Sequence, residues 1–467
     1  MSNNLVNRSA LGYRVENPAT GEIIETYSHP TDTEIENALA EAQQGFEEWR
    51  KLPIEERAQV VLKAGALFRE RAEELAAIIT EEMGKGLSEA RGEVALCEGI
   101  FDYYGTEGPA LAAPSPVLVD GSVEARVEKL PVGPLLGIMP WNFPYYQLLR
   151  FAIPNLVLGN TLLIKPAETC PRSALVLQKL FEDAGFPSGT YSTLLANHAQ
   201  IETVIEDPRV KGVSLTGSER AGAAVGVIAA RKIKKTVMEL GGSDAYIVLD
   251  ALDVRKAASD AWVTRVSNMG QSCNSNKRII VHSDIYDEFV SELASIAGDL
   301  KPGDPLSEDV GTYNPMATAK GAKELAEQVE DAVSKGATLH AGGYVLEDRP
   351  AYFAPAVLSG VRPGMRAYEE ELFGPVAVVY QAADEAEAVQ LANDSEFGLG
   401  GAVFSSDKER ASRVALQLNT GMTHVNVAAA YGAQLPFGGI GRSGFGRELG
   451  PSGMDEFANK RLVVIAE

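Results

Sequence analysis

The stretch GPLLGIMPWNFPYYQLLRFAIPNLVLGNTLLIKPAE, residues 133–168, decides the fold class. It holds two short apolar runs, PLLGIMPW at 134–141 and NTLLIKPA at 160–167, each followed by residues of helical period. The texture continues through SALVLQKLFEDAG (173–185), VKGVSLTGS (210–218) and AGAAVGVIAARK (221–232). Strands covered on both faces read as unbroken apolar runs, and their alternation with helices is the signature of parallel βαβ units. A second series follows Glu239: AYIVL at 245–249, the helix VRKAASDAWVTRV at 254–266, the strand KRIIVH at 277–282, and helices near 286–299 and 318–335. The expectation is an α/β protein of two domains with the boundary near Gly241-Gly242.

Outward from this core, residues 13–30 alternate around Pro18-Ala19-Thr20-Gly21 and predict a hairpin. Helical patterning runs from about Asp32 to Tyr104, punctuated by Pro53 and Gly84-Lys85-Gly86, which predicts at least three helices, the first opened by a Thr33–Glu36 capping box. Residues 114–130 carry two alternating runs joined by Asp120-Gly121, which suits a type I′ turn and a protruding ribbon. The tail RLVVIA at 461–466 is an apolar strand fit to pair with that ribbon or with a neighbouring subunit.

A chain of 467 residues exceeds a single ordinary core. Its formal net charge of -22 repels phosphate backbones and anionic membranes, so nucleic acid and membrane surfaces are excluded as expected partners. Three cysteines, Cys97, Cys170 and Cys273, have neither paired spacing nor nearby histidines, so no disulfide framework and no metal site is expected. With no signal-like or membrane-length apolar run, the expected location is the reducing cytoplasm.

The candidate chemistry centres on Gly270-Gln271-Ser272-Cys273. A lone cysteine is more often a small buried hydrophobe. Here Asn268, Gln271, Asn274, Ser275 and Asn276 surround it, a poor wall for a core thiol and a good source of oxyanion-binding N–H groups. Glu239, ending an apolar strand before Leu240-Gly241-Gly242, is a candidate base with a pKa raised by burial, or else a capping or ion-paired carboxylate. Asn142 follows the strand PLLGIM, where its amide could donate to an oxyanion or close an Asx-turn. Thr216, Gly217 and Ser218 read as a strand–glycine–helix anion site or as a plain βα turn, not a GxGxxG fingerprint, and Lys165 and Glu168 stand at a strand end suited to ribose hydroxyls.

These pieces occur in one order: PWNFP at 140–144, KPAE at 165–168, LTGS at 215–218, MELGG at 238–242, GQSC at 270–273, EEELFGP at 369–375 and PFGG at 436–439. Together they resemble the aldehyde dehydrogenase superfamily along essentially the whole chain. The resemblance implies a Rossmann-like NAD(P)-binding domain over 1–113 and 131–241, a catalytic domain over 242–445, and an oligomerisation ribbon and tail over 114–130 and 446–467, with a homodimer or homotetramer expected. It implies Cys273 as nucleophile, Asn142 and the Cys273 N–H as oxyanion donors, and Glu239 as the base that hydrolyses the thioester. For the cofactor it implies Lys165 and Glu168 at the adenine ribose, Thr216, Gly217 and Ser218 at the pyrophosphate, Glu371 at the nicotinamide ribose, and Phe373 and Trp141 at the ring. Glu168 would repel a 2′-phosphate, which favours NAD and leaves NADP open.

For the substrate, Arg150 lies on the helix that lines the family's tunnel, where it implies a distal carboxylate, as in bacterial succinate-semialdehyde dehydrogenases, or else is a surface or ion-paired arginine. The segments PRVKGVSLTGSERAG, NMGQSCNSNKR and VHSDIYDEF resemble the same branch. Ser267 replaces an arginine some relatives carry, so Arg265 is the expected second anchor, with Tyr145, Tyr431 and Phe437 as tunnel walls. The alternatives are another short aliphatic or aromatic aldehyde, and a non-catalytic structural or binding member. Intact Cys273 and Glu239 argue against the last.

Overall fold

A computed structural model describes residues 12–119, 123–307 and 309–466. Its first large sheet has six strands in the order Gly444–Phe445, Lys235–Glu239, Gly212–Thr216, Pro134–Ile138, Thr161–Lys165 and Tyr191–Thr193. All pair in parallel except the edge strand Gly444–Phe445. Thr161–Lys165 and Gly212–Thr216 are buried at every position, as their unbroken apolar character requires of strands covered on both faces. Pro134–Ile138 pairs with Thr161–Lys165 on one side and Gly212–Thr216 on the other. The chain therefore winds outward, returns, and winds the opposite way. Beyond the carboxyl ends of Pro134–Ile138 and Gly212–Thr216 this reversal leaves a crevice, the usual ligand position in open α/β sheets.

The second sheet has seven strands, ordered Thr338–Ala341, Ala356–Ser359, Val376–Ala382, Arg278–His282, Ala245–Val248, Gly400–Phe404 and Met422–Val425. Only Thr338–Ala341 is antiparallel. The α/β reading of 133–282 holds, and the expected helix at 254–266 matches Val254–Val266.

The N-terminal hairpin forms from Tyr13–Glu16 and Ile23–Tyr27. Four helices follow, Asp32–Trp49, Ile54–Glu70, Ala72–Met83 and Leu87–Leu111. The first is opened by Thr31 and Glu34, not Thr33 and Glu36: Glu34 N donates to Thr31 Oγ1 (3.3 Å) and Thr31 N to Glu34 Oε2 (2.7 Å). The helix begins at Asp32, where the helical pattern sets in, so Thr31 and not Thr33 holds the cap position and Glu36 is left to pair with Arg209. The tail strand Ala458–Ala466 pairs antiparallel with Val123–Pro131, which also pairs with Ser115–Val117. The expected Asp120-Gly121 turn lies outside the described residues. Among the described residues no helix is long and apolar enough to cross a membrane.

Candidate active site

Cys273 stands on the loop between the helix Val254–Val266 and the strand Arg278–His282, facing the carboxyl ends of the first sheet. The loop is entered through Asn268, Met269 and Gly270, whose φ angles are 51°, 53° and 68°. Left-handed backbone at two non-glycine residues is costly and persists only where the surroundings over-determine it. They do so here. Asn268 Nδ2 donates to Asn142 O (2.9 Å), Gln271 Nε2 donates to Asn268 O (3.0 Å), and Gln271 Oε1 accepts from Ala317 N (2.9 Å). At Gly270 a Cβ would lie 2.3 Å from Gly374 O, so glycine is required. Gly242 serves the same end from the first sheet, because a Cβ there would fall 2.4 Å from Cys273 O.

Two cavities meet at Cys273. The larger, about 400 Å³, is lined by Lys85, Phe143, Tyr146, Arg150, Tyr431 and Phe437 among others. The second, about 250 Å³, lies at the sheet's reversal point and is lined by Trp141, Asn142, Thr216, Gly217, Ser218, Glu371 and Phe373. Trp141 and Phe373 meet edge to face at 5.6 Å between ring centroids. Asn142 Nδ2 donates to Gln271 O (3.0 Å), which fixes the amide plane and leaves its second N–H for a ligand.

Burial pushes the Cys273 thiol up to about 12, against the opposing pull of Arg150 and Lys277. At neutral pH it is a thiol in need of a base. Glu239 is buried, and burial first and the Glu448 carboxylate second hold its pKa well above the ordinary carboxylate range. Neither of its oxygens has a hydrogen-bond partner among the described residues. A buried carboxyl left so is expensive structurally and apt for proton transfer. Glu239 lines neither cavity, but its charge is felt at the thiol, and Gly438 of the PFGG motif makes room for it, since a Cβ there would lie 2.6 Å from Glu239 Oε1.

Arg150 is fully buried on the helix Tyr146–Leu158. Its Nε donates to Glu448 Oε2 (2.8 Å), and the guanidinium carbon lies 4.1 Å from the Phe437 ring centroid and 4.9 Å from that of Tyr146. Burial, the largest single effect, disfavours the cation, but Glu448 together with Tyr146, Glu239 and Cys273 more than offsets it and the guanidinium stays charged. The ion pair and the cavity wall are thus one residue, because only one of three nitrogens is spent on Glu448.

Two expected substrate residues are elsewhere. Tyr145 is fully buried against Phe68, ring centroids 5.7 Å apart, and does not line the cavity. Tyr146 takes that place. Residues four apart share a helix face, whereas five apart differ by about 140°, so Tyr146 and not Tyr145 can stack on Arg150. Arg265 is fully buried and spends all five N–H groups on the protein: Nε on Val376 O (2.8 Å), the terminal nitrogens on Gly270 O, Ser275 Oγ, Leu372 O and Gly374 O. Nothing is left for a substrate carboxylate. Replacing Arg265 by methionine strands these acceptors, and is expected to destabilise the fold by about 3 kcal/mol or more, read as a lower denaturation midpoint. Its ratio of efficiencies on charged and uncharged aldehydes should stay unchanged; a fall in that ratio would restore Arg265 as a substrate anchor.

Lys165 and Glu168 do not line the second cavity. Lys165 Nζ is buried and donates to Pro166 O (3.0 Å), while the half-exposed Glu168 faces a separate groove with Arg14 and Arg349. Residues the sequence reading missed are Glu448, Lys277 and the buried pair Lys85–Glu93, in which Lys85 Nζ also donates to Asn142 O (2.9 Å) and Glu93 Oε1 accepts from Tyr145 N and Tyr146 N. The Gly84-Lys85-Gly86 break between helices and the helical pattern around Glu93 say nothing of what these two side chains face.

Comparison with known proteins agrees with this geometry. The model of the aldehyde dehydrogenase family matches residues 6–463. A protein of Deinococcus radiodurans named succinate-semialdehyde dehydrogenase [NADP(+)] is 52% identical over 96% of this chain and 93% of its own length. One of Escherichia coli, named succinate semialdehyde dehydrogenase [NAD(P)+], is 41% identical over 96% of both chains. The crystal structure of succinic semialdehyde dehydrogenase from Streptococcus pyogenes, in complex with NADP+, superposes with a TM-score of 0.94 at 37% identity, covering 97% of this chain and all (100%) of the other. The chain belongs to the aldehyde dehydrogenase family.

Proposed function

We propose that the chain oxidises succinic semialdehyde, or a short aldehyde of the same kind with a carboxylate at its far end, to the acid, using NADP or NAD. One observation carries this reading: both terminal nitrogens of Arg150 are buried and have no hydrogen-bond partner among the described residues, on a residue that lines the cavity holding Cys273. Buried N–H donors on a cation are costly until an anion meets them, and two parallel donors match a carboxylate. The walls of Tyr146, Tyr431 and Phe437 suit a short methylene chain. The names of the relatives support the same substrate.

The second cavity fits a nicotinamide dinucleotide. Among the described residues Thr216 Oγ1 is buried without a partner and a Cβ at Gly217 would meet nothing nearer than Leu215 Cδ2 at 3.8 Å, so a ligand can approach the backbone. Ser218 caps the helix Glu219–Arg231, whose N-terminus favours a diphosphate. Glu168, exposed and 4.0 Å from His198 Nε2, is no fixed wall against a 2′-phosphate, and both cofactors are assigned. The bound dinucleotide supplies the hydride acceptor.

Cys273 passes its proton to solvent water as its sulfur adds to the aldehyde carbon, giving a thiohemiacetal whose oxyanion is met by the free Asn142 N–H and the Cys273 N–H. Oxidation of this adduct leaves a thioester on Cys273. Glu239 then takes a proton from water as the water attacks the thioester carbon; the acid leaves and the sulfur is freed. The exposed Leu462, Val464 and Ile465 of the tail strand support a homodimer or homotetramer joined there, and the free cysteines support a cytoplasmic setting.

Arg150→Met tests the substrate. Efficiency on succinic semialdehyde should fall about 10- to 150-fold more than on an uncharged aldehyde of equal length, the loss of a charge-assisted contact. Equal loss on both would sink the carboxylate assignment, and the ratio cancels any damage from stranding Glu448.

A further inference from the structure

Lys277 follows the nucleophile on the same loop, and its side chain is almost wholly buried. Its ammonium has three hydrogens and three acceptors: Ser272 O at 2.7 Å, Cys273 O at 2.8 Å and Glu371 Oε1 at 3.0 Å. Glu371 Oε1 also accepts from Gly242 N (3.1 Å), so the ammonium's anchor is fixed by the backbone that follows Glu239. The room for this cluster comes from Gly241 and Gly242, where a Cβ would lie 2.5 Å from Glu371 Oε2 and 2.4 Å from Cys273 O.

Ser272 O is the carbonyl end of the peptide whose other end is the Cys273 N–H. In a trans peptide the two point in opposite directions along one resonant unit. A cation on the oxygen draws charge through the unit and makes its N–H a stronger donor, as in any chain of charge-assisted hydrogen bonds. We propose that Lys277 is a positioning residue that polarises the Ser272–Cys273 peptide from behind, strengthening the Cys273 N–H as a donor to the oxyanion formed when the thiol adds to a carbonyl. The inference rests on Cys273 as nucleophile and on its N–H as oxyanion donor; it does not rest on which aldehyde is used.

The experiment compares Lys277→Gln, Lys277→Met and Lys277→Arg with the parent enzyme in three reactions. These are oxidation of an aldehyde with NADP, acylation by p-nitrophenyl acetate without cofactor, and alkylation by iodoacetamide. The first two pass through an oxyanion and the third does not, while all three need the thiolate. Dividing the acylation rate by the alkylation rate at one pH therefore removes any change in thiol ionisation or exposure. That ratio should fall about 10-fold or more in Lys277→Gln and Lys277→Met, short of the 10²–10³ lost when a donor is removed outright. Lys277→Arg should restore it to within about 3-fold of the parent. An unchanged ratio, or an arginine variant no better than methionine, overturns the proposal; if the methionine variant fails to fold, the glutamine and arginine variants decide. A parent enzyme that is acylated but oxidises no aldehyde would refute the proposed function and leave this ratio standing.

Discussion

Replacing Cys273 by alanine is expected to abolish aldehyde oxidation, a loss of at least about 10⁴-fold, while dinucleotide binding stays within about 2-fold of the parent. The loss follows because Cys273 lines both cavities, so that a carbonyl carbon in the first can meet a hydride acceptor in the second. Retention of binding follows because the contacts that shape the second cavity use the Cys273 carbonyl, not its side chain: Lys277 Nζ to Cys273 O, and Lys277 to Glu371. Serine is no rescue, since a hydroxyl is harder still to ionise. A second consequence concerns pH. With the thiol pushed up to about 12, the thiolate is a small fraction at neutrality and grows with every pH unit, so alkylation by iodoacetamide should rise about 10-fold per unit between pH 7 and pH 10. A rate already level at pH 7 would mean the resting nucleophile is a thiolate and would remove the need for a base in the addition step. Because Arg150 is the leading charge that opposes burial at the thiol, Arg150→Met should also slow alkylation at a fixed pH.

How much of this was legible in the chain depends on the range of the contacts involved. Strand and helix alternation over 133–282 carried the fold because each element's burial is written in its own composition, and the reversal of strand order then placed the crevice beside Asn142 and Gly217. That Cys273 lies in a crevice and not in a core was legible from its polar neighbours, and the burial of Glu239 from the apolar end of its strand. The misplaced residues fail for identifiable reasons. Tyr145 and Tyr146 differ by one position, and which faces Arg150 depends on helix phase set by where the helix starts, at Tyr146 just after Pro144. Arg265 ends a helix, and its acceptors at Leu372, Gly374 and Val376 come from a segment 107 to 111 residues further on. Glu448 meets Arg150 across 298 residues. No local pattern encodes such pairings; only folding brings them together.

Glu239→Gln is expected to separate the two halves of the reaction. The amide is isosteric with the parent carboxyl but holds no proton-accepting oxygen of comparable basicity, so the thioester on Cys273 should form and then wait for unaided water. The trace should show a burst of about one reduced cofactor per active site, then a steady rate about 10²–10⁴-fold below the parent. Full steady-state turnover would exclude Glu239 as the deacylation base. A variant with no burst would instead make Glu239 the group that first removes the thiol proton. The pH dependence supplies an independent check. Burial and Glu448 raise the Glu239 pKa, so the acid limb of the parent's kcat profile should lie above the ordinary carboxylate value of about 4.3, and it should vanish in the variant. Stability should carry the same signature. Between the unfolded carboxylate value and the raised folded one, the folded parent holds a proton that the unfolded chain has released, so its stability falls as pH rises through that window. The amide has no such proton. The variant's denaturation midpoint should therefore drop less than the parent's between about pH 5 and pH 8, and at the upper end should equal or exceed it. A parent midpoint that instead rises more steeply than the variant's over this window would mean Glu239 is ionised and stabilised in the fold, contrary to its buried, unpartnered oxygens.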